Sequence, residues 1–277
     1  MTITIRPVTT IAECRILERL QAEVWQCNDI EVVPDHAVFT LAKEGNVVLL
    51  ALDDENPIGF AFGFLALTDD YQLKYASHMV GVLSVYQNQG VGYRLKLAQR
   101  ESLLARDIRL MTWTYDPLQT RNARFNLRKL GAVCNTYYPN LYGTMRDGLN
   151  QGLPSDRFRA DWWLDTPRVA RRIAGEFAET NRFDACPILN PAIGLPTGLL
   201  APPDKFSEPV DEFCLVEIPP DIDALKMQES ELALTWRLQT REIFTKAFAV
   251  NYTAVDLIHR EDRAYYLLQK NWQLAEE

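Results

Sequence analysis

His78-Met79-Val80-Gly81-Val82-Leu83-Ser84-Val85, continued by Tyr86-Gln87-Asn88-Gln89-Gly90-Val91-Gly92, is the stretch on which the fold turns. The first eight residues are apolar and largely β-prone, the pattern of a strand covered on both faces. The two glycines that follow let the backbone turn tightly and come close to a ligand. A helix is predicted from near Val91. Its first-turn amides have no acceptor within the helix, and together with the helix dipole they favour an anion such as a phosphate. Outward from this point the chain continues helix, strand, turn, helix as far as Ala132, a succession that implies parallel crossover pairing. The helix after Gly92 is expected to bury Val91, Leu95, Ala98, Ser102 and Ala105. Ile108 to Tyr115 reads as the next buried strand.

Composition bounds the possibilities. The chain has 277 residues, 47% hydrophobic and 24% charged, with a formal charge of −8. This is the profile of a soluble globular protein of one large domain or two smaller ones. The acidic balance argues against nucleic acid or an anionic membrane as the main partner, and no apolar run reaches the length of a span. Five cysteines are scattered, none as Cys-x-x-Cys, and there are three histidines, so no metal site is expected. An odd number of isolated cysteines fits a reducing, cytoplasmic location, and no secretory leader is read ahead of the first strand.

The flanking segments fill in the plan. Thr2 to Arg6 alternates as a half-buried strand, and Thr10-Ile11-Ala12-Glu13 is a capping box that opens a helix. The polar loop Cys27 to Asp35 follows, and Asp35 opens a short helix. Val47 to Leu52 and Ile58 to Leu67 read as a hairpin, with Gly59 and Gly63 marking a bulge or close packing. Ala132 to Tyr138 and Arg157 to Leu164 read as closing strands around a glycine-punctuated loop from Tyr142 to Asn150. Thr166-Pro167 starts a helix expected to run to about Thr180. Six prolines fall between Pro187 and Pro209, an extended strap. Phe213 to Ile218 and Ala264 to Leu268 are strands, with a helix from about Ser230 to Ala249 between them.

Gln87-Asn88-Gln89-Gly90-Val91-Gly92 resembles the acyl-CoA pyrophosphate loop of the GNAT acetyltransferase superfamily, Gln/Arg-x-x-Gly-x-Gly/Ala. Asn122-Ala123-Arg124-Phe125-Asn126-Leu127-Arg128-Lys129-Leu130-Gly131-Ala132 is similar to that family's later helix. The two matches come in order on the expected elements and cover about residues 1–165. The fold class implied is α/β (α+β): a GNAT-like mixed central sheet flanked by helices over 1–165, with an additional α/β region over 166–277. The resemblance further implies a CoA-dependent N-acyltransferase using acetyl-CoA or another acyl-CoA, succinyl-CoA included. The acceptor would be a small-molecule amine, such as an amino acid. Whether the protein is a homodimer is left open. The implied CoA contacts are Gln87, Asn88, Gln89, Gly90, Val91, Gly92 and Asn122, with backbone groups of Val82 and Leu83 pairing with the pantetheine arm. In the family the first helix and its loop shape the acceptor pocket.

Proton handling is less fixed by pattern. The family's helix tyrosine is replaced by Leu127, and the family's asparagine aligns with Thr120, so Asn122 stands two residues on. Tyr115, Tyr138 and Tyr142 are the substitutes considered for the acid. His78 is the candidate base because imidazole titrates near neutrality, with His36 a second choice. The alternative for each is an ordinary structural role. Arg237 and Arg241, four apart on one helix face, could clamp a substrate carboxylate or lie in solvent. Two further readings are a catalytically weak CoA-binding sensor or scaffold, favoured by Leu127, and acetylation of protein lysines.

Overall fold

The computed structural model describes residues 2–26, 31–143, 152–177 and 179–274. Residues 27–30 of the loop after the first helix, and 144–150 of the loop read from Tyr142 to Asn150, lie outside the described residues. The chain forms two compact units, the first ending at Trp113 and the second beginning at Thr114.

In the first unit the chain runs β1 (Ile3–Pro7), α1 (Ile11–Trp25), α2 (Asp35–Lys43), β2 (Val48–Asp53), β3 (Asn56–Leu67), β4 (Leu73–Val82), α3 (Val91–Leu104) and β5 (Leu110–Tyr115), whose last two residues belong to the second unit. The strands lie in the order β1-β2-β3-β4-β5. Pairing is antiparallel through β4, and β4 and β5 are parallel. α1 starts because the Thr10 hydroxyl accepts from Glu13 N while the Glu13 carboxylate accepts from Thr10 N, satisfying two first-turn donors at once. Its inner face, Cys14, Leu17 and Leu20, packs with Val38 of α2 on Val48, Leu50, Phe60 and Phe62 of the sheet. Each such buried side chain contributes about 1.5–3 kcal/mol.

The second unit contains α4 (Thr120–Ala123), which continues as a π-helical segment over Arg124–Lys129, then β6 (Val133–Tyr138), β7 (Arg157–Trp163), α5 (Pro167–Ile173), the short strands β8 (Ile193–Gly194) and β9 (Leu200–Ala201), β10 (Phe213–Ile218), α6 (Ile222–Gln228), α7 (Ser230–Ala249), β11 (Tyr252–Arg260) and β12 (Arg263–Lys270). Its strand order is β7-β6-β11-β12-β10. Phe158, Phe244, Phe248, Tyr137, Tyr115 and Tyr266 form an aromatic core, Phe158 lying 4.7 Å from Phe244 and 5.9 Å from Tyr115 between centroids.

This division falls at Trp113/Thr114, whereas the sequence predicts a boundary at 165/166. β6 and β7 pair with each other, and Ala254 of β11 pairs with Cys134 of β6, so the closing strands share a core with the C-terminal ones. β11 was not expected as a strand. α5 ends at Ile173 rather than near Thr180, because Gly175 takes a left-handed φ of 83°. The proline-rich strap is tied down: Leu189 N donates to Leu215 O, Trp236 Nε1 donates to Leu200 O, and the Gln239 amide donates to Pro203 O. Among the described residues no helix is long and apolar enough to cross a membrane.

Candidate functional site

β4 carries two irregularities, a bulge against β3 and a short pairing with β5. Phe62 pairs with Met79 and Gly63 pairs with Ser77, so His78 is the extra residue of a β-bulge. Gly63 makes the bulge possible: a Cβ there would lie 2.2 Å from Ala76 O and 2.8 Å from Ser77 Cα. On its other side β4 meets β5 only through Tyr75–Met111 and Ala76–Thr112. From Ser77 to Val82 the edge facing β5 is left without those strand partners. Leu83 N donates to Ile58 O, so strand alternation turns the peptide groups of Val82 and Val80 to the open side.

At the end of this edge a 3₁₀ turn over Ser84–Tyr86 leads into the loop. Asn88 and Gly90 adopt left-handed backbones, φ 63° and 79°. Gln87 Nε2 donates to Val82 O at 3.3 Å and Gln89 Nε2 donates to Val85 O at 2.9 Å, so both amides brace the loop from within. No side chain caps the first turn of α3. A Cβ at Gly90 would meet nothing within 4 Å, and one at Gly92 only Val82 Cγ2 at 3.9 Å. Nothing in the protein itself requires Gly92 to be bare. The loop is thus a shallow, exposed seat of uncapped amides with room for a diphosphate, and the residues present fit that group.

No protein-family model and no curated protein matches the chain. Among solved structures the chain is similar to Arabidopsis thaliana Naa50 in complex with the bisubstrate analogue CoA-Ac-MVNAL, at 14% identity over 58% of this chain and 98% of that one, TM-score 0.47. It is also similar to YncA from Salmonella typhimurium with its cofactor acetyl-CoA, at 17% identity over 60% and 95%, TM-score 0.46. A third is the ribosomal-protein-S18-alanine N-acetyltransferase from Escherichia coli, at 15% identity over 58% and 92%, TM-score 0.45.

The other expected site residues fall as follows. Leu83 does not offer its backbone to a ligand: its N–H goes to Ile58 O and its carbonyl accepts from Tyr86 N. Val80, which sequence reasoning passed over, takes its place on the open edge. The His78 imidazole is exposed yet flanked by Phe62 and Phe64, ring centroids 5.6 and 5.9 Å away. Desolvation lowers its pKa below the usual 6.5, so the ring is neutral at pH 7. His36 is exposed on α2 beside Asp35, Nδ1 to Oδ1 3.6 Å.

In the second unit Tyr115 is buried, its hydroxyl 3.4 Å from Tyr266 Oη and 3.6 Å from Cys134 Sγ. Burial raises its pKa well above 10, and we correct its assignment as an accessible acid. Tyr142 is exposed, its hydroxyl 2.8 Å from Thr114 Oγ1. Asn122 is exposed on α4. The arginine clamp is also corrected. Arg241 is spent on Asp156, and Arg237, fully buried, sends Nη2 to Asp116 at 2.5 Å. A buried guanidinium needs an internal counter-charge, so the pair serves two different carboxylates instead of one ligand.

One residue with chemistry was missed. Lys96 of α3 is 3% exposed, and its Nζ donates to Ser77 Oγ at 2.9 Å and to Met111 Sδ at 3.8 Å. It lies 3.8 Å from the centroid of the Trp113 ring. Burial lowers its pKa from 10.5 to about 7. The residue type hid it, since lysine on a helix reads as a solvated face.

Proposed function

We propose that this protein is an acyl-CoA-dependent N-acyltransferase that moves a short acyl group to the amine of a small molecule. The supporting observation is the seat itself: an uncapped helix start with Gly90 and Gly92 bare, at the end of a strand edge that β5 leaves open. CoA supplies an acyl group activated as a thioester. The first-turn amides of α3 would hold its diphosphate, and the peptide groups of Val80 with the Val82 N–H, whose carbonyl accepts from Gln87, would receive the amide arm as an added strand. His78, neutral and placed at the bulge, would take the proton that the acceptor amine must lose. Acetyl is the simplest acyl group and succinyl a second, with an amino acid as one acceptor class. Asn122 and Tyr142, both exposed in the second unit, remain candidate site residues.

A second reading is a CoA-binding sensor without turnover. Its support is Leu127, fully buried in the π-helical segment where the resembled helix has a tyrosine. Calorimetry with acetyl-CoA combined with thiol-release assays over amino acids and small amines separates the two. Binding with release is the expected result. Binding without release on any acceptor supports the sensor, and no binding at all ends both readings.

A further inference from the structure

The parting of β4 and β5 has a chemically unusual residue at its vertex. The last paired residues are Ala76 and Thr112. The next residue on each strand, Ser77 and Trp113, touches Lys96: the Ser77 hydroxyl accepts from Nζ, and the Trp113 ring lies against it. Met111 Sδ completes the surroundings, and the Gln99 side chain reaches Ser77 Oγ at 3.3 Å. Among the described residues no carboxylate pairs with this ammonium, and desolvation is the one cause of its shift. A buried cation faced by a hydroxyl, a thioether and a ring, with no carboxylate beside it, carries a desolvation cost that those partners do not offset.

The same surroundings make the amine reactive. Near neutral pH about half of it is unprotonated, and a desolvated neutral lysine is a competent nucleophile. The open edge of β4 that would receive the acyl-CoA arm begins at Ser77, the residue holding Nζ.

We propose that Lys96 is a self-acylation site, taking the acyl group from a CoA thioester bound along the open edge of β4. This rests on the acyl-CoA reading above. Nζ attacks the thioester carbonyl carbon and a carbon–nitrogen bond forms. The carbon–sulfur bond breaks with its electron pair going to sulfur, and the proton released from nitrogen ends on the CoA thiol. The products are one amide at Lys96 and one free CoA. The amide carries no charge and keeps one N–H for Ser77, so acylation removes the buried cation and stabilises the first unit.

The test uses the full chain. The protein is incubated with acetyl-CoA at pH 8, its mass is measured intact, and the modified residue is located by peptide mapping. A gain of one acetyl group at Lys96 is expected, with a raised Tm, and Lys96→Arg should lose that gain. Gly90→Glu should suppress it, since the thioester no longer docks. Calorimetric binding of CoA with Lys96 unmodified would overturn self-acylation and leave the acyl-CoA reading standing. Acetylation confined to exposed lysines, or equal modification of Lys96 in Gly90→Glu, would also overturn it. Absence of CoA binding would overturn the parent reading and the proposal together.

Discussion

Arg241 grips Asp156 with two prongs, Nε to Oδ2 and Nη2 to Oδ1, both 2.8 Å. Asp156 is wholly buried and also accepts from the Tyr137 hydroxyl at 2.6 Å and from Asn140 N at 2.9 Å. Burial raises its pKa, but these donors outweigh burial and hold it below the usual carboxylate range. Asp156→Ala leaves a guanidinium unpaired and should cost about 3–5 kcal/mol, read by urea denaturation. A group whose folded pKa is depressed contributes stability above its ordinary pKa and loses it as pH falls through the folded value. The variant should therefore flatten the acid limb of the wild-type stability curve below about pH 4.

Lys96→Met should stabilise the protein. With the folded pKa near 7 and the unfolded one at 10.5, the unfolded chain binds the extra proton between those values. Wild-type stability therefore rises with pH across that window, and the cost of the buried cation is complete below pH 7. The gain in Lys96→Met should be on the order of a few kcal/mol at pH 6 and fade toward pH 10. Denaturation of both proteins at several pH values measures it. A pH-independent difference would contradict the buried cation.

Gly92→Ala separates binding from folding. The added methyl meets only Val82 Cγ2 at 3.9 Å, so stability should change by less than about 0.5 kcal/mol. CoA affinity should nevertheless fall roughly tenfold, because the methyl enters the diphosphate seat. Gly90→Glu should do more, adding a negative charge and, at φ 79°, a backbone strain of about 1–2 kcal/mol. Calorimetry beside thermal denaturation reads both effects.

His78→Gln should lower kcat about 10²-fold or more if the imidazole takes the proton. The sign of its pH effect follows from the shift. The neutral form is the working one and its pKa lies below 6.5, so wild-type activity should fall only on the acid side of that value. The acid limb should be lost in the variant. A pH–rate profile with an unchanged limb would assign the titration elsewhere.

Thr10→Ala should cost about 1 kcal/mol through loss of the cap on α1. The capping box is one of the features that sequence states outright, because both partners lie within four residues. The same locality made the Gln87–Gly92 turn, the ends of α7 and the strand Phe213–Ile218 legible. Gly63 could be marked as a place of close approach, since only a missing side chain explains glycine inside a strand. The face of α3 was read less well. Val91 and Leu95 are buried as expected, but the inner face continues through Lys96, Gln99 and Leu103 instead of Ala98, Ser102 and Ala105. Lys96 and Gln99 are polar, and their burial is decided by Ser77, which sits nineteen and twenty-two residues away. Arg237 and Arg241 failed in the same way: helical spacing puts them on one face but says nothing of Asp116 and Asp156. β11 escaped notice because Asp256 and His259 interrupt its apolar run. Asp256 is held by Arg128 and Arg172, from elements more than eighty residues distant.

The position of β12 bears on how this molecule is made. Arg263–Lys270 follows both β10 and β11 in the chain, yet it lies between them and hydrogen-bonds to each. A nascent chain can complete the sheet of its first unit while still attached to the ribosome. The second must wait, with β10 and β11 lacking their common neighbour, until β12 emerges. A chain stalled before β12 should therefore leave two bared strand edges open to chaperones, and to pairing with other unfinished chains.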